Sequence, residues 1–219
     1  MRTAAEQNHR YFRRAYETGC HGWQSDEPSP YVARNLRQVW SSGTGRRLLD
    51  LGCGEGRHCW LAAQLGFLPV GVDYEPLALA RAQERGRQAD LGRPVEWLAA
   101  NVLALPFRPQ SFDVLVDYGC LHHQKRSDWP RYLTSVEAVL KPAGHFLLST
   151  FSTAFRVYGP QERSWHLAHG AYRRFFTAED LHSLLGDSFE FLSLEEERDD
   201  QRGFWHALMR RRTPTGAHR

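Results

Sequence analysis

The chain has 219 residues, 42% of them hydrophobic, with 28 basic residues set against 25 acidic ones. A length of this order suits one α/β domain with short additions better than two independent domains. No window approaches the roughly 18 uninterrupted apolar residues of a membrane-spanning helix, and the opening MRTAAEQNHRYFRRAY lacks the apolar stretch of a secretory signal, so no membrane partner is expected and the cytoplasm is the expected location.

Cys20, Cys53, Cys59 and Cys120 include no CxxC pair, and Cys53 falls inside a glycine turn that a disulfide would distort, which predicts reduced thiols. Only Lys125 and Lys141 are lysines, so the positive charge is almost all arginine, spread along the chain. A nucleic-acid partner needs a one-signed stripe. The nearest candidate, Arg210, Arg211 and Arg212, is short and terminal and follows the acidic run Glu195, Glu196 and Glu197, so it reads as a solvated end and no nucleic-acid partner is expected.

In chain order, a helix is predicted over residues 4–17 and another near 31–41, separated by GCHGWQSDEPSP. From residue 46 strand-like and helix-like segments alternate, as βαβ units around a parallel sheet do. RRLLDLG is a first strand, Arg57 to Leu65 a helix ending at Gly66, FLPVGVD a second strand, Glu75 to about Gln88 a helix, and VEWLAAN a third strand. FDVLVDYG follows as a buried strand, then a helix from Trp129 to Leu140 stopped by Pro142 and Gly144 of KPAG, then the strand HFLLSTFS. Residues 153–175 lose periodicity and gather aromatic rings, as functional stretches often do. Thr177 caps a helix over AEDLHSLL with Asp180 completing the capping box, and SFEFLSLEEE and GFWHALMRR form a hairpin joined by the polar turn RDDQR.

Asp50, Gly52, Gly54 and Gly56 form a DxGxGxG pattern between a strand and a helix, where glycines permit a sharp turn and the helix N-terminus offers free N–H groups. Asp73, at the end of the second strand, is spaced to accept hydrogen bonds from a ribose diol. A nicotinamide or flavin enzyme would need a small third residue in GxGxxG for close helix packing, and counting from Gly52 that residue is Arg57. This argues against a Rossmann oxidoreductase, the rival reading.

GCGEG with Asp50 two residues before it resembles motif I of class I S-adenosylmethionine (SAM)-dependent methyltransferases, and the likeness extends in register over about residues 46–152. GVDYEP resembles the second-strand motif of that family, with Asp73 on the ribose and Tyr74 near the adenine. NVLALPF resembles the third-strand exit, with Asn101 in place of the usual Asp and Val102 beside it, and SFDVLVDYGCLHH and VLKPAGHFLLS resemble the fourth- and fifth-strand segments. GCGEGRH and YETGCHGWQSDEPSP are similar to the thiol and tellurite-resistance methyltransferases, whose N-terminal segment folds over the cofactor. The resemblance implies a seven-stranded, Rossmann-like α/β fold, mostly parallel with a C-terminal antiparallel hairpin. Residues 1–45 would be a helical segment covering cofactor or substrate, and 46–219 the SAM-binding domain with an aromatic insertion at about 153–176. SAM is the implied cofactor and S-adenosylhomocysteine (SAH) the product. Asp50, Gly52, Gly54, Gly56, Arg57, Asp73, Tyr74, Asn101, Val102 and Asp117 are the implied cofactor residues, Arg57 being either a carboxylate contact or a surface cation.

In such folds ligands lie beyond the carboxyl ends of the strands, which directs attention to Asp117, Tyr118, Cys120, His122 and His123. His122 or His123 would serve as a base toward a phenol, or pack in support of the cofactor; Tyr118 would contact SAM or substrate, or pack. Cys120 is either an acceptor or a buried thiol. No metal site is expected, since adjacent histidines tend to diverge. The D/N-P-P-Y/F pattern of amino-methyltransferases is absent, DYGC standing in its place, so DNA-base and glutamine methylation are not expected. Tyr11, Tyr16 and Trp23 with the rings of 155–176 (Phe155, Tyr158, Trp165, Tyr172, Phe175, Phe176), and Trp165 with His166 and His169, either close a lid over a small acceptor or staple onto the sheet. The expected reaction is methyl transfer to a small molecule through sulfur or oxygen, by a monomer or a homodimer; the alternatives are an NAD(P)-dependent Rossmann oxidoreductase and an RNA-associated or non-catalytic SAM-binding protein.

Overall fold

A computed structural model describes residues 3–19, 21, 23, 25–41, 47–88, 93–155, 166–168, 170–200 and 202–213. Two N-terminal helices, α1 (Ala4–Thr18) and α2 (Pro30–Ser41), precede the alternating units β1 (Arg47–Leu51), α3 (Arg57–Gln64), β2 (Leu68–Asp73), α4 (Pro76–Gln88) and β3 (Glu96–Ala99). Then come β4 (Phe112–Tyr118), α5 (Trp129–Val139), β5 (Leu140–Phe151), a small hairpin β6 (His166–Ala168) and β7 (Ala171–Arg173), α6 (Ala178–Leu185), β8 (Phe189–Arg198) and β9 (Gly203–Arg211). The main sheet has the order β3-β2-β1-β4-β5-β9-β8, with the first five strands parallel and β9 antiparallel to both neighbours. This is the seven-stranded, mostly parallel sheet with an antiparallel C-terminal hairpin that the strand and helix pattern predicts.

Side chains alternate across the pleat, so the central strands must be apolar on both faces. Leu48, Val114, Val116, Leu147 and Leu208 pack with Val32, Leu36 and Val39 of α2 and Leu61 of α3. Their immediate neighbours Leu49, Leu115, Phe146, Leu148 and Met209 pack instead with Tyr132 and Val136 of α5 and Leu181 and Leu185 of α6. Thr177 caps α6 with the predicted box, its side chain accepting from Asp180 N and Asp180 accepting from Thr177 N.

Two expectations change. KPAG does not separate helix from strand, because Leu140 is already extended and fully buried, and it pairs with Phe112 as the first residue of β5. The strand then shifts register, with Ala143 at φ 58°, before His145 pairs with Val114. Gly144 is needed there, since a Cβ would meet Asp113 O at 3.0 Å and Lys141 O at 2.9 Å. Second, the stretch predicted to be irregular contains the β6–β7 hairpin; Tyr158, Trp165 and His169, with the side chain of His166, lie outside the described residues. The tail arginines are also not free. Arg210 pairs with Glu190, and Arg211 and Arg212 donate to the carbonyls of Leu140 and Gly186.

Asn8 fastens the first turns of helix α1 across the open end of the sheet. Buried Asn8 accepts from Tyr172 N (2.6 Å) and donates to Tyr172 O (3.1 Å) and His123 O (3.3 Å). Asn8→Ala removes all three hydrogen bonds, at a cost of about 1–3 kcal/mol. Hydrogen exchange should therefore quicken across residues 4–18 while the sheet stays protected; unchanged exchange in α1 would remove Asn8 as the latch.

Candidate active site

The carboxyl ends of β1, β2 and β4 carry Asp50, Asp73 and Asp117 respectively, all at least nine-tenths buried. They border the region between the strand ends and α1, where a cavity of about 460 Å³ lies. Small-molecule sites usually occupy roughly 300–1,000 Å³. At one end stands the glycine turn: Gly52, Gly54 and Gly56 have φ of 68°, 55° and 88°, a left-handed region that side chains disfavour. Their missing side chains also make room for the protein itself, since a Cβ on Gly56 would meet Trp97 at 2.3 Å and one on Gly54 would meet the Tyr16 hydroxyl at 3.0 Å.

Asp73 holds this turn in place. One carboxylate oxygen accepts from Gly54 N (3.0 Å), the other from Glu75 N (2.9 Å), which leaves lone pairs on both for further donors. Burial raises its pKa, with neighbouring Glu75 adding to the effect and the two N–H donors opposing it. Burial also raises Asp50, to about 7, against a hydrogen bond from the Cys59 thiol. Asp50 and Asp73 both line the cavity, and this end favours a cation.

Asp117 behaves differently and is not on the cavity wall. Its carboxylate accepts from Tyr132 Oη (2.6 Å) and from the backbone N–H of Cys120 (2.8 Å) and Leu121 (3.3 Å), fixing the turn after β4; burial raises its pKa to about 6. The cavity is also lined by Tyr74, Asn101, Val102, Arg57, Tyr118, His122 and His123. Exposed Tyr74 meets His9 and Phe12 of α1 edge-on, and Asn101 Oδ1 accepts from Leu103 N. Arg57 lies 5.1 Å over the Tyr118 ring and donates to Glu27 O (3.3 Å).

The two histidines converge, their ring centroids 4.5 Å apart. His123 Nδ1 lies 2.9 Å from Tyr172 O, which can only accept, so Nδ1 bears the proton and Nε2 is the basic atom. His122 stacks on Phe151 at 3.7 Å, and its Nδ1 accepts from Phe151 N at 3.4 Å, which puts its proton on Nε2. Burial, with the Arg173 charge, holds His123 at about 3 and His122 well below its ordinary range, so both are neutral at pH 7. Sequence reasoning missed Asn8, Phe12, Phe151, Arg173 and Phe204 on this wall. None belongs to a motif; only the fold brings them together. Tyr16 and Trp23 line the cavity as anticipated, whereas Tyr11, Phe155, Phe175 and Phe176 do not. Ser149, His206 and Glu197 form a hydrogen-bonded chain resembling a nucleophile relay, but Ser149 is buried in the sheet and none of the three lines the cavity.

Residues 48–144 match the family described as a methyltransferase domain. Those residues thus carry the sequence pattern of a methyltransferase domain. It is 28% identical over 161 residues to a 2-phytyl-1,4-naphtoquinone methyltransferase of Synechocystis, covering 67% of this chain and 65% of that protein. It is 37% identical over 130 residues to a tRNA U34 carboxymethyltransferase of Alcanivorax borkumensis, covering 58% of this chain and 38% of that one. The chain thus spans less than two thirds of the length of these relatives. Its fold matches the Burkholderia thailandensis 1,6-didemethyltoxoflavin-N1-methyltransferase, solved with its substrate and SAH, at a TM-score of 0.79 and 22% identity over 97% of this chain and 92% of that one. The [4+2]-cyclase SpnF matches at a TM-score of 0.67 and 18% identity over 95% and 94%, so fold alone does not fix the reaction.

The Asp117 network gives a test of how the turn is held. Tyr132→Phe removes the buried donor and should destabilise the protein by about 1–3 kcal/mol. Because Asp117 is ionised above about pH 6, the loss should be larger at about pH 8 than at about pH 5, where the carboxyl is protonated. Denaturant unfolding at both pH values measures it, and a pH-independent loss would contradict the assignment.

Proposed function

We propose that the protein transfers the methyl group of SAM to a small-molecule acceptor through sulfur or oxygen. The observation that carries this reading is the polarity of the cavity: two buried carboxylates and a glycine turn at one end, neutral histidines and aromatic rings at the other. When bound, SAM supplies an electrophilic methyl on a positively charged sulfur and leaves as SAH. Asp73, with lone pairs to spare, would accept the ribose hydroxyls, and Asp50 would meet the cation. Gly52, Gly54 and Gly56 would shape the turn around the ligand, while Tyr74, Asn101 and Val102 would take the adenine and Arg57 the carboxylate. Asp117 would act as a positioning residue through the turn it fixes.

His122, His123 and Tyr118 would face the acceptor. The basic Nε2 of His123, weakened by burial, takes a proton readily only from an acceptor that is itself acidic. That suits a thiol or an acidic phenol, in keeping with the resemblance to thiol methyltransferases. Residues 1–45 would act as the covering segment of the domain at 46–219; Asn8, Phe12, Tyr16 and Trp23 on the cavity wall support this. No nucleic-acid partner is proposed, because Arg210, Arg211 and Arg212 are engaged within the fold. Among the described residues no helix is long and apolar enough to cross a membrane.

Calorimetry with SAM and SAH tests the reading directly. Both should bind below about 100 μM, and Asp73→Ala should weaken SAM by about 1–3 kcal/mol through lost hydrogen bonds. Tight NADH binding with neither adenosyl ligand bound would defeat it.

The raised pKa of Asp50 adds a signed pH dependence. In the free protein burial favours its protonated form below about 7, while a cationic ligand favours the ionised form, so protons compete with SAM. SAM affinity should therefore rise between about pH 5.5 and about pH 7.5 and then level, with proton release on binding; Asp50→Asn should flatten the profile. A wild-type affinity that is flat or falls over this range would contradict the role given to Asp50.

A further inference from the structure

His122 and His123 end the short turn Leu121–His123 that follows β4, and both line the cavity with their ring centroids 4.5 Å apart. The hydrogen bonds that hold the two rings run through Nδ1 in each case. Phe151 N donates to His122 Nδ1 at 3.4 Å, with Thr150 Oγ1 also 3.4 Å from that atom, whereas His123 Nδ1 lies 2.9 Å from Tyr172 O. A backbone N–H only donates and a carbonyl only accepts, so the neighbouring rings are fixed in opposite tautomers.

Nε2 is the other polar atom of each ring, and there the two differ. His122 carries a proton and is a donor; His123 carries a lone pair and is an acceptor. In His122 this edge lies beside Gly119, another residue of the cavity wall, where a Cβ would stand 3.5 Å from Cε1 and 3.9 Å from Nε2. Burial keeps both rings neutral at neutral pH, so the wall presents one donor and one acceptor rather than two donors. Hydrogen bonds reach only about 2.7–3.2 Å, so a small molecule engaging both rings must bring its own donor and acceptor close together. A molecule with a group of the wrong sense sets lone pair against lone pair, or leaves the His122 N–H without a partner, and binds less well.

We propose that the methyl acceptor carries its reacting O–H or S–H beside a second oxygen, a carbonyl or ether, on the neighbouring carbon: His123 Nε2 receives the first group and the His122 Nε2–H donates to the second. The group bound to His123 is then the one methylated. Its oxygen or sulfur forms a bond to the methyl carbon while the carbon–sulfur bond of the sulfonium breaks with its pair remaining on sulfur. The proton passes to His123 Nε2 and on to water, so the products are a methyl ether or thioether, neutral SAH and one proton. His122 spends its N–H on the neighbouring oxygen, which leaves the lone pairs of the attacking atom free for the methyl group.

This inference rests on the methyltransferase reading, so SAH binding is measured first and separately; a wild-type protein that binds no SAH defeats that earlier reading. The tautomers need no ligand. Nitrogen-15 NMR of the imidazoles should show His123 protonated on Nδ1 and His122 on Nε2, and the same tautomer in both would overturn the proposal. The SAH-loaded full chain is then titrated calorimetrically with three probes. 2-Methoxyphenol sets an O–H beside an accepting oxygen, its isomer 4-methoxyphenol separates the two, and 1,2-dimethoxybenzene lacks the donor. The first should bind at least about tenfold more tightly than either of the others. His122→Phe should abolish the preference over 4-methoxyphenol and His123→Phe the preference over 1,2-dimethoxybenzene, with SAH affinity retained in both. Equal binding of the isomers by wild type, no binding of 2-methoxyphenol, or preferences that survive both substitutions overturns the proposal. Should the variants fail to fold, the wild-type comparison and the tautomers decide.

Discussion

The hydrogen bond from Gly54 N to Asp73 is the constraint on which the site depends. It ties the end of β2 to the turn leaving β1, at the crevice where parallel strands end and helices begin. With Cys53 N bonded to Val72 O and Trp97 filling the space beside Gly56 and Gly71, the turn has one available path. A ligand arriving there meets a backbone already in position, so little ordering remains to be done on binding. The carboxylates at these strand ends are costly to bury, and their raised pKa values express that cost. A cation in the cavity would offset it for Asp50 and Asp73. Asp117 is offset differently, by Tyr132 and two backbone donors, and its contribution is to hold the turn that delivers His122 and His123.

The second half of the cavity comes from distant parts of the chain. Asn8 joins α1 to Tyr172 and to the carbonyl of His123, while Tyr172 O also receives the Nδ1 proton of His123. One backbone carbonyl therefore links the position of α1 to the tautomer of a histidine on the cavity wall. Movement of α1 and the chemistry of that wall are coupled through this point. His9 and Arg13 add contacts at 3.3 and 3.5 Å to the buried carboxylate of Glu75, so α1 is held at two places along its length.

Much of the fold was legible in the sequence because its signals are local. Alternating buried strands, the capping box at Thr177 and the helix over residues 4–17 arise from neighbouring residues and their immediate geometry. DxGxGxG and Asp73 were legible for the same reason, since one strand, one turn and one crossover fix their separation. KPAG was misread because Pro and Gly usually stop a helix, yet Leu140 gains more from full burial and pairing with Phe112 than the local signal suggests. Arg173, Asn8 and Phe204 carried no motif at all. An arginine pair in a loop gives no sign of which member turns inward, because that depends on how β7 meets the histidine turn.

This division bears on what the relatives can say about substrate. The family match covers residues 48–144, which include Asp50, the glycine turn, Asp73, Asn101 and both histidines. Asn8, Phe12, Tyr16, Phe151, Arg173 and Phe204 all lie outside it. The glycine turn and its acidic partners thus lie inside the segment matched to the family, while much of the facing wall lies outside it. A shared domain therefore constrains the donor far more than the acceptor. The acceptor has to be reasoned from the cavity wall itself, where two neutral histidines inside the matched segment face rings of Phe12, Phe151 and Phe204 outside it.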